Sequence, residues 1–221
     1  MASPFLFIRI RCLIIMLVLP LLSACSSVSN APLGSYVWHF FSADTPSVTY
    51  INNHISPSVI VRSEDNTNNF YLLGFQSDTN TYWQSSGNTA FMLHNGRLAS
   101  TGGFKHELLS TKYLYTGAPP WQRPINELPA YYQVQAYYKD MSYQVKKGNA
   151  TLRCKTSPER VSLPLVKALL TPCIEKIEWA NGDSTYNYLW REPYTSYIRQ
   201  AEETPWPGAP TVTWKAAKPW Q

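Results

Sequence analysis

The sequence predicts an all-β fold, an antiparallel meander curled into an open barrel or sandwich with one or two short helices. Three observations carry this. Aromatic residues make up 14% of the 221 residues, with fifteen Tyr and eight Trp, and only 15% are charged; aromatic enrichment favours pleated surfaces over helices. Asn95-Gly96 sits in the middle of YWQSSGNTAFMLHNGRLAST (82–101), and this dipeptide suits a two-residue type I′ turn, where both residues need positive φ. Turn signals then recur at roughly ten-residue spacing, the mark of a meander, barrel or sandwich.

The first element is an address. Arg9 and Arg11 supply a positive region and Cys12 to Leu22 a short apolar one, the pattern of a signal peptide over residues 1–24. Leu22-Ser23-Ala24-Cys25 reads as a lipobox, with a branched residue, two small ones and the cysteine that accepts lipid. Cys25 is therefore the expected lipid attachment site and the outer membrane the expected location, since no Asp follows it. Several acyl chains, at about 0.8 kcal/mol per buried methylene, make such an anchor permanent. Cleavage takes nineteen basic side chains to seventeen against fourteen acids, a net of +3 rather than +5. That low charge and an envelope location argue against nucleic-acid binding.

Residues 25–34 are a small, polar tether, and 35–221 form a single β-rich domain. Tyr36 to Phe41 fits either a short helix or a strand. Val48 to Ile51, Ser58 to Arg62 and Phe70 to Gln76 read as strands, and 77–80 turns the chain toward Trp83. Counting outward from Asn95-Gly96 pairs His94 with Arg97, Leu93 with Leu98, Met92 with Ala99 and Phe91 with Ser100. Phe91, Leu93 and Leu98 then share a face to be buried, with His94 and Arg97 a solvated pair on the other.

Glu107 to Tyr115 is ambiguous. Gly117 to Pro129 is Pro-rich and irregular and is positioned to divide two halves of the sheet. Tyr131 to Tyr138 alternates as a half-solvated strand should. Met141 to Val145 and Ala150 to Cys154 flank Lys147-Gly148, a second hairpin signal. Ser162 to Leu170 is the best helix candidate after the signal, stopped by Thr171-Pro172. Cys173 to Trp179, Thr185 to Arg191, Thr195 to Glu202 and Thr211 to Lys215 complete the strands.

Once Cys12 leaves with the signal and Cys25 carries lipid, Cys154 and Cys173 remain for an oxidising compartment. They are expected to form a disulfide around the helix candidate. The four histidines lack metal-ligand spacing, and no nucleophile or phosphate-loop motif occurs, so no cofactor, metal or catalytic residue is expected. Glu175 and Glu178, three apart on a strand, point to opposite faces. Glu202-Glu203 reads as a solvated strand end. Tyr137, Tyr138, Tyr186, Tyr188 and Trp190 are candidates for a platform that stacks on sugar rings, although covering a thin core is the preferred reading of such rings.

Trp83, then Ser85-x-x-Asn88-x-Ala90, then His94-Asn95-Gly96-Arg97-Leu98 and Thr101 resemble the core motif of the YjbF/GfcB lipoproteins of exopolysaccharide and group 4 capsule operons. Tyr188-x-Trp190, Ile198-Arg199-Gln200 and the segment from Lys215 to Pro219 are similar to the end of that family. The resemblance covers the signal, residues 48–101 and residues 173–219. It implies a predominantly β outer-membrane lipoprotein encoded beside polysaccharide assembly and export genes, with a large outer-membrane barrel protein and a second periplasmic protein as usual neighbours; the body is expected to face the periplasm. The expected role is a non-enzymatic accessory in secretion or assembly that binds glycan or an export partner. The alternatives are a glycan-modifying enzyme and a purely structural envelope lipoprotein.

Overall fold

The computed structural model describes residues 49, 51, 56–63, 67–140 and 142–220. The chain divides into two compact units, Met1–Ala43 and Asp44–Gln221, and all described residues belong to the second. The expectations for Cys25, the signal peptide, the tether and Tyr36 to Phe41 lie outside the described residues.

Among the described residues, thirteen strands form one antiparallel, nearly closed barrel-like sheet. They are β1 (Ser58–Arg62), β2 (Asn68–Ser77), β3 (Asn80–Gln84), β4 (Ala90–His94), β5 (Arg97–Gly102), β6 (Glu107–Leu114) and β7 (Tyr132–Lys139). β8 (Tyr143–Cys154), β9 (Glu159–Ser162), β10 (Lys167–Trp179), β11 (Ser184–Arg191), β12 (Ile198–Glu203) and β13 (Val212–Lys218) follow. The order is β5-β4-β3-β2-β1-β13-β12-β11-β10-β8-β7-β6, with β9 paired to β10 alone. The chain thus runs outward from β1 to β5, then returns from β6 to β13, which closes onto β1. At the seam between the terminal strands, Leu108 N donates to Thr101 Oγ1 at 2.8 Å and Gly103 N to Glu107 Oε1 at 3.0 Å. Bulges in the β2–β3, β4–β5, β6–β7 and β11–β12 pairs add the local twist that curls a sheet. Two short 3₁₀ turns, Pro120–Gln122 and Ile125–Glu127, supply the helical content of the described residues beside Thr49 and Ile51.

Alternation places the core. Val59, Val61, Tyr71, Trp83, Phe91, Leu93, Val134, Ile177, Leu189 and Trp214 form one buried cluster. Rings dominate it: Trp83 stacks with Phe91 at 6.1 Å and meets Trp220 edge-on at 4.8 Å. Such contacts add about 0.5–1.5 kcal/mol beyond area burial.

Several local expectations are corrected. Ser162 to Leu170 is not a helix but the end of β9, a turn and the start of β10, with Leu163 N donating to Val166 O. Nine residues make a marginal helix in water, whereas extending β10 satisfies their backbone against β9. Pro172 does not stop an element. It lies inside β10, where the pairing passes from β9 to β8 and a missing N–H is tolerated.

Lys147-Gly148 is not a turn, because β8 is continuous. Gly148 is needed for close approach, since a Cβ there would lie 2.8 Å from Glu178 O and from Ile177 Cγ2. The Pro-rich segment does not divide the sheet, as β6 and β7 on either side of it pair directly. Thr49 and Ile51 are helical rather than extended; four residues carry too little periodicity to separate the two. The last expected strand before β13 begins only at Ile198, because Pro193 to Thr195 turn and Ser196 has φ 60°. In the central hairpin, His94 and Leu93 pair as counted. Then a bulge leaves Ala99 unpaired and sets Met92 against Ser100 and Phe91 against Thr101.

Candidate functional site

Asn95 and Gly96 adopt φ 50° and 76°, so β5 leaves the turn immediately and carries Arg97 inward. Arg97 is not solvated: its side chain is fully buried. Its Nη1 and Nη2 donate to Glu175 Oε1 and Oε2 at 3.0 and 2.7 Å, and its Nε donates to Glu203 Oε2 at 2.7 Å. The guanidinium lies 4.8 Å from the Tyr113 ring centroid and 4.9 Å from that of Trp121. Glu203 is therefore a buried partner, 2% exposed, and not a solvated strand end.

One cation faces two carboxylates, and neutral donors share the excess negative charge. The Tyr132 hydroxyl and Asn187 Nδ2 donate to Glu175. Leu98 N donates to Glu203 Oε1 at 3.0 Å. Burial alone would push the Glu175 carboxyl up, but the Arg97 guanidinium and the hydrogen bonds from Arg97, Tyr132 and Asn187 hold it below its ordinary value. Burial works against the Arg97 charge as well, and the two carboxylates more than reverse that, raising it well above its ordinary value. Burial raises the Tyr113 and Tyr132 phenols. With Glu175 fully buried and both its oxygens engaged, the centre presents no lone pair to a substrate. It ties β5, β7, β10, β11 and β12 together.

Glu178 points outward, as the strand period requires, and pairs with exposed Lys176 at 2.6 Å. His94 stays near the surface, with Nδ1 2.8 Å from Asn80 Oδ1, and burial lowers its pKa. Among the described residues, no cluster of His, Cys, Asp or Glu could hold a metal ion.

The five candidate stacking residues separate. Tyr138 is 8% exposed and stacks on Trp206 at 4.3 Å, so it belongs to the core. Tyr137 lies on β7 under Lys112 and donates to Gln135 Oε1, apart from the others. Tyr186, Tyr188 and Trp190 remain together on the outer face of β11, at every second position and so about 7 Å apart. Tyr186 is 49% exposed, Tyr188 40%, and Trp190 partly. Ile174, 47% exposed, is paired with Tyr188, and Pro172 with Trp190. Cys154 and Cys173 are opposed residues of β8 and β10, joined by a disulfide with a Cα–Cα distance of 3.9 Å. The loop they close is a β excursion rather than a helix.

A family model described as group 4 capsule polysaccharide lipoprotein GfcB, YjbF matches residues 39–215. The crystal structure of the hypothetical lipoprotein YmcC from Escherichia coli K12 superposes with a TM-score of 0.73 at 17% identity. That match covers 87% of this chain and 98% of YmcC, and it shows a shared fold. Comparison with curated protein sequences gave no match.

Proposed function

Because the chain belongs to the group 4 capsule polysaccharide lipoprotein family, we propose that it is an outer-membrane factor, lipid-anchored through Cys25, that binds the polymer during its secretion or assembly and leaves it chemically unchanged. The ladder of Tyr186, Tyr188 and Trp190 carries this reading. These rings lie in one row on a paired, rigid strand, where the C–H faces of successive sugars can stack on them. Sequestration of Glu175 and Glu203 supports the non-catalytic part, since glycoside hydrolysis normally uses two carboxylates flanking the bond.

The test uses detergent-solubilised lipoprotein and capsular polymer purified from the strain that encodes it. Wild type should retard in a gel containing the polymer, and the triple variant Tyr186→Ala, Tyr188→Ala, Trp190→Ala should migrate freely. Equal retardation of the two would remove the ladder from the reading. Shortening of the polymer on incubation would replace binding with glycan modification.

A further inference from the structure

A second surface lies at the end of the barrel where β5 begins. The turn after β2 brings Asp78 and Thr79, the turn after β4 brings Asn95 and Gly96, and the first 3₁₀ turn brings Gln122. Tyr197 and Ile198 enter β12, and Trp220 follows β13; together these residues line a cleft of about 240 Å³. Five segments far apart in sequence converge there. Asp78 and Asn95 are two of the four non-glycine residues with positive φ among those described, and a third, Ser196, immediately precedes Tyr197. At Asp78 and Asn95 this conformation belongs to the tight two-residue hairpin turns that carry them to the cleft.

The chemistry of the lining is specific. Tyr197 and Trp220 contribute rings, and the Arg199 guanidinium sits 5.8 and 5.7 Å from their centroids. Arg199 is not one of the lining residues; it sits behind these rings, 5% exposed, with Nε donating to Glu192 Oε1 at 2.6 Å and Nη1 without a partner among the described residues. Asp78 and Tyr197 are exposed and Gln122 half-buried, so their polar groups face the cleft and its solvent, and none of the lining residues is basic. Such acceptors and donors beside two rings match the hydroxyls and C–H face of a neutral sugar. Drug-sized sites start at about 300 Å³, so this smaller cleft suits a single ring.

We propose that this cleft binds one uncharged sugar residue, taken from a chain end or a side branch of the polymer. The assignment rests on the polysaccharide reading above and deepens it: the ladder holds the length of the chain, the cleft one residue of it. Rings take the C–H face, Asp78 accepts from hydroxyls, and Gln122 both donates and accepts.

Short oligosaccharides made by partial acid hydrolysis of the strain's own polymer are the probe, titrated into the full lipoprotein in detergent. Asp78→Gly removes the carboxylate and suits the positive φ, and Gln122→Ala trims a half-buried side chain at the end of its turn; both variants should keep the wild-type melt. Each should weaken oligosaccharide binding about tenfold, the worth of a hydrogen bond to a charged or well-placed group. The Trp220 indole resonance should shift on binding, and both cleft variants should still be retarded by the whole polymer. If oligosaccharides bind both cleft variants like wild type, or fail to bind a wild type that still holds polymer, the cleft assignment falls and the polymer reading stands. If wild type holds neither, both fall.

Discussion

The two faces of β10 to β12 invert the usual distribution of polarity. Inward, Glu175, Asn187 and Glu203 converge on Arg97 with almost no solvent access. Outward, Ile174, Tyr186 and Tyr188 stand in water. The difference teaches where the stability of this domain resides and which face stays open to solvent. A buried charge is tolerated only when paired and hydrogen-bonded, so the inner face is fully committed to itself. An exposed ring row has nothing to satisfy and remains available to a ligand.

The contrast breaks most sharply at Arg97. Arg97→Ala leaves two buried carboxylates without their cation, and removing one partner of a buried pair costs about 3–5 kcal/mol. Denaturant unfolding should show that loss, whereas Glu178→Gln on the outer face of the same strand should leave the midpoint unchanged. Next comes the bridge. Replacing Cys154 and Cys173 by Ser frees a loop whose closure is worth roughly 3 kcal/mol, read as a lower melting temperature.

Gly96→Val should cost about 1–3 kcal/mol through strain at positive φ. The Ile198 side chain adds crowding, because a Cβ at position 96 would lie 3.3 Å from Ile198 Cβ. An unchanged melt would mean that the turn does not set the entry of Arg97.

Acid sharpens the comparison. His94 and Glu175 both have folded pKa values below their ordinary 6.5 and 4.5. Their contributions are complete above those values and are lost as pH falls through the folded ones. The melting temperature should therefore decline from about pH 6.5 downward, with a second decline below 4.5 from Glu175. His94→Asn should remove the first limb only. The smallest effect on stability belongs to the outer face: Tyr188→Ala should shift it by no more than about 0.5 kcal/mol and be felt in polymer binding instead.

How much of this was legible follows from the same strands. Period-two alternation and the Asn-Gly turn act locally, so the meander, the hairpin and the closing strands could be read directly. The inner centre could not, because Arg97 meets Glu175 and Glu203 only after the sheet curls. One signal was nonetheless present. Glu175 shares its phase with Cys173, Ile177 and Trp179, three buried side chains, and an acid in the apolar phase of a strand requires a cation somewhere. The helix misread at 162–170 has the opposite cause. Its apolar pattern suits either state, and pairing with β9 and the bridge at its base decided between them. Tyr137 and Tyr138 are adjacent and alternate, so only one of them can face out, and Tyr138 covers the core, as the preferred reading of such rings has it.

The bridge between Cys154 and Cys173 also acts as an inspection mark. Because the two cysteines are directly opposed, it closes in one alignment of β8 and β10. A slip of one residue sends the sulfurs to opposite faces, and a slip of two moves them about 7 Å apart. Glu175 lies two residues beyond Cys173, so the alignment that permits oxidation is the one that delivers this carboxylate to Arg97. In an oxidising compartment, a chain that has acquired the bond carries a covalent record that its strands were assembled in step.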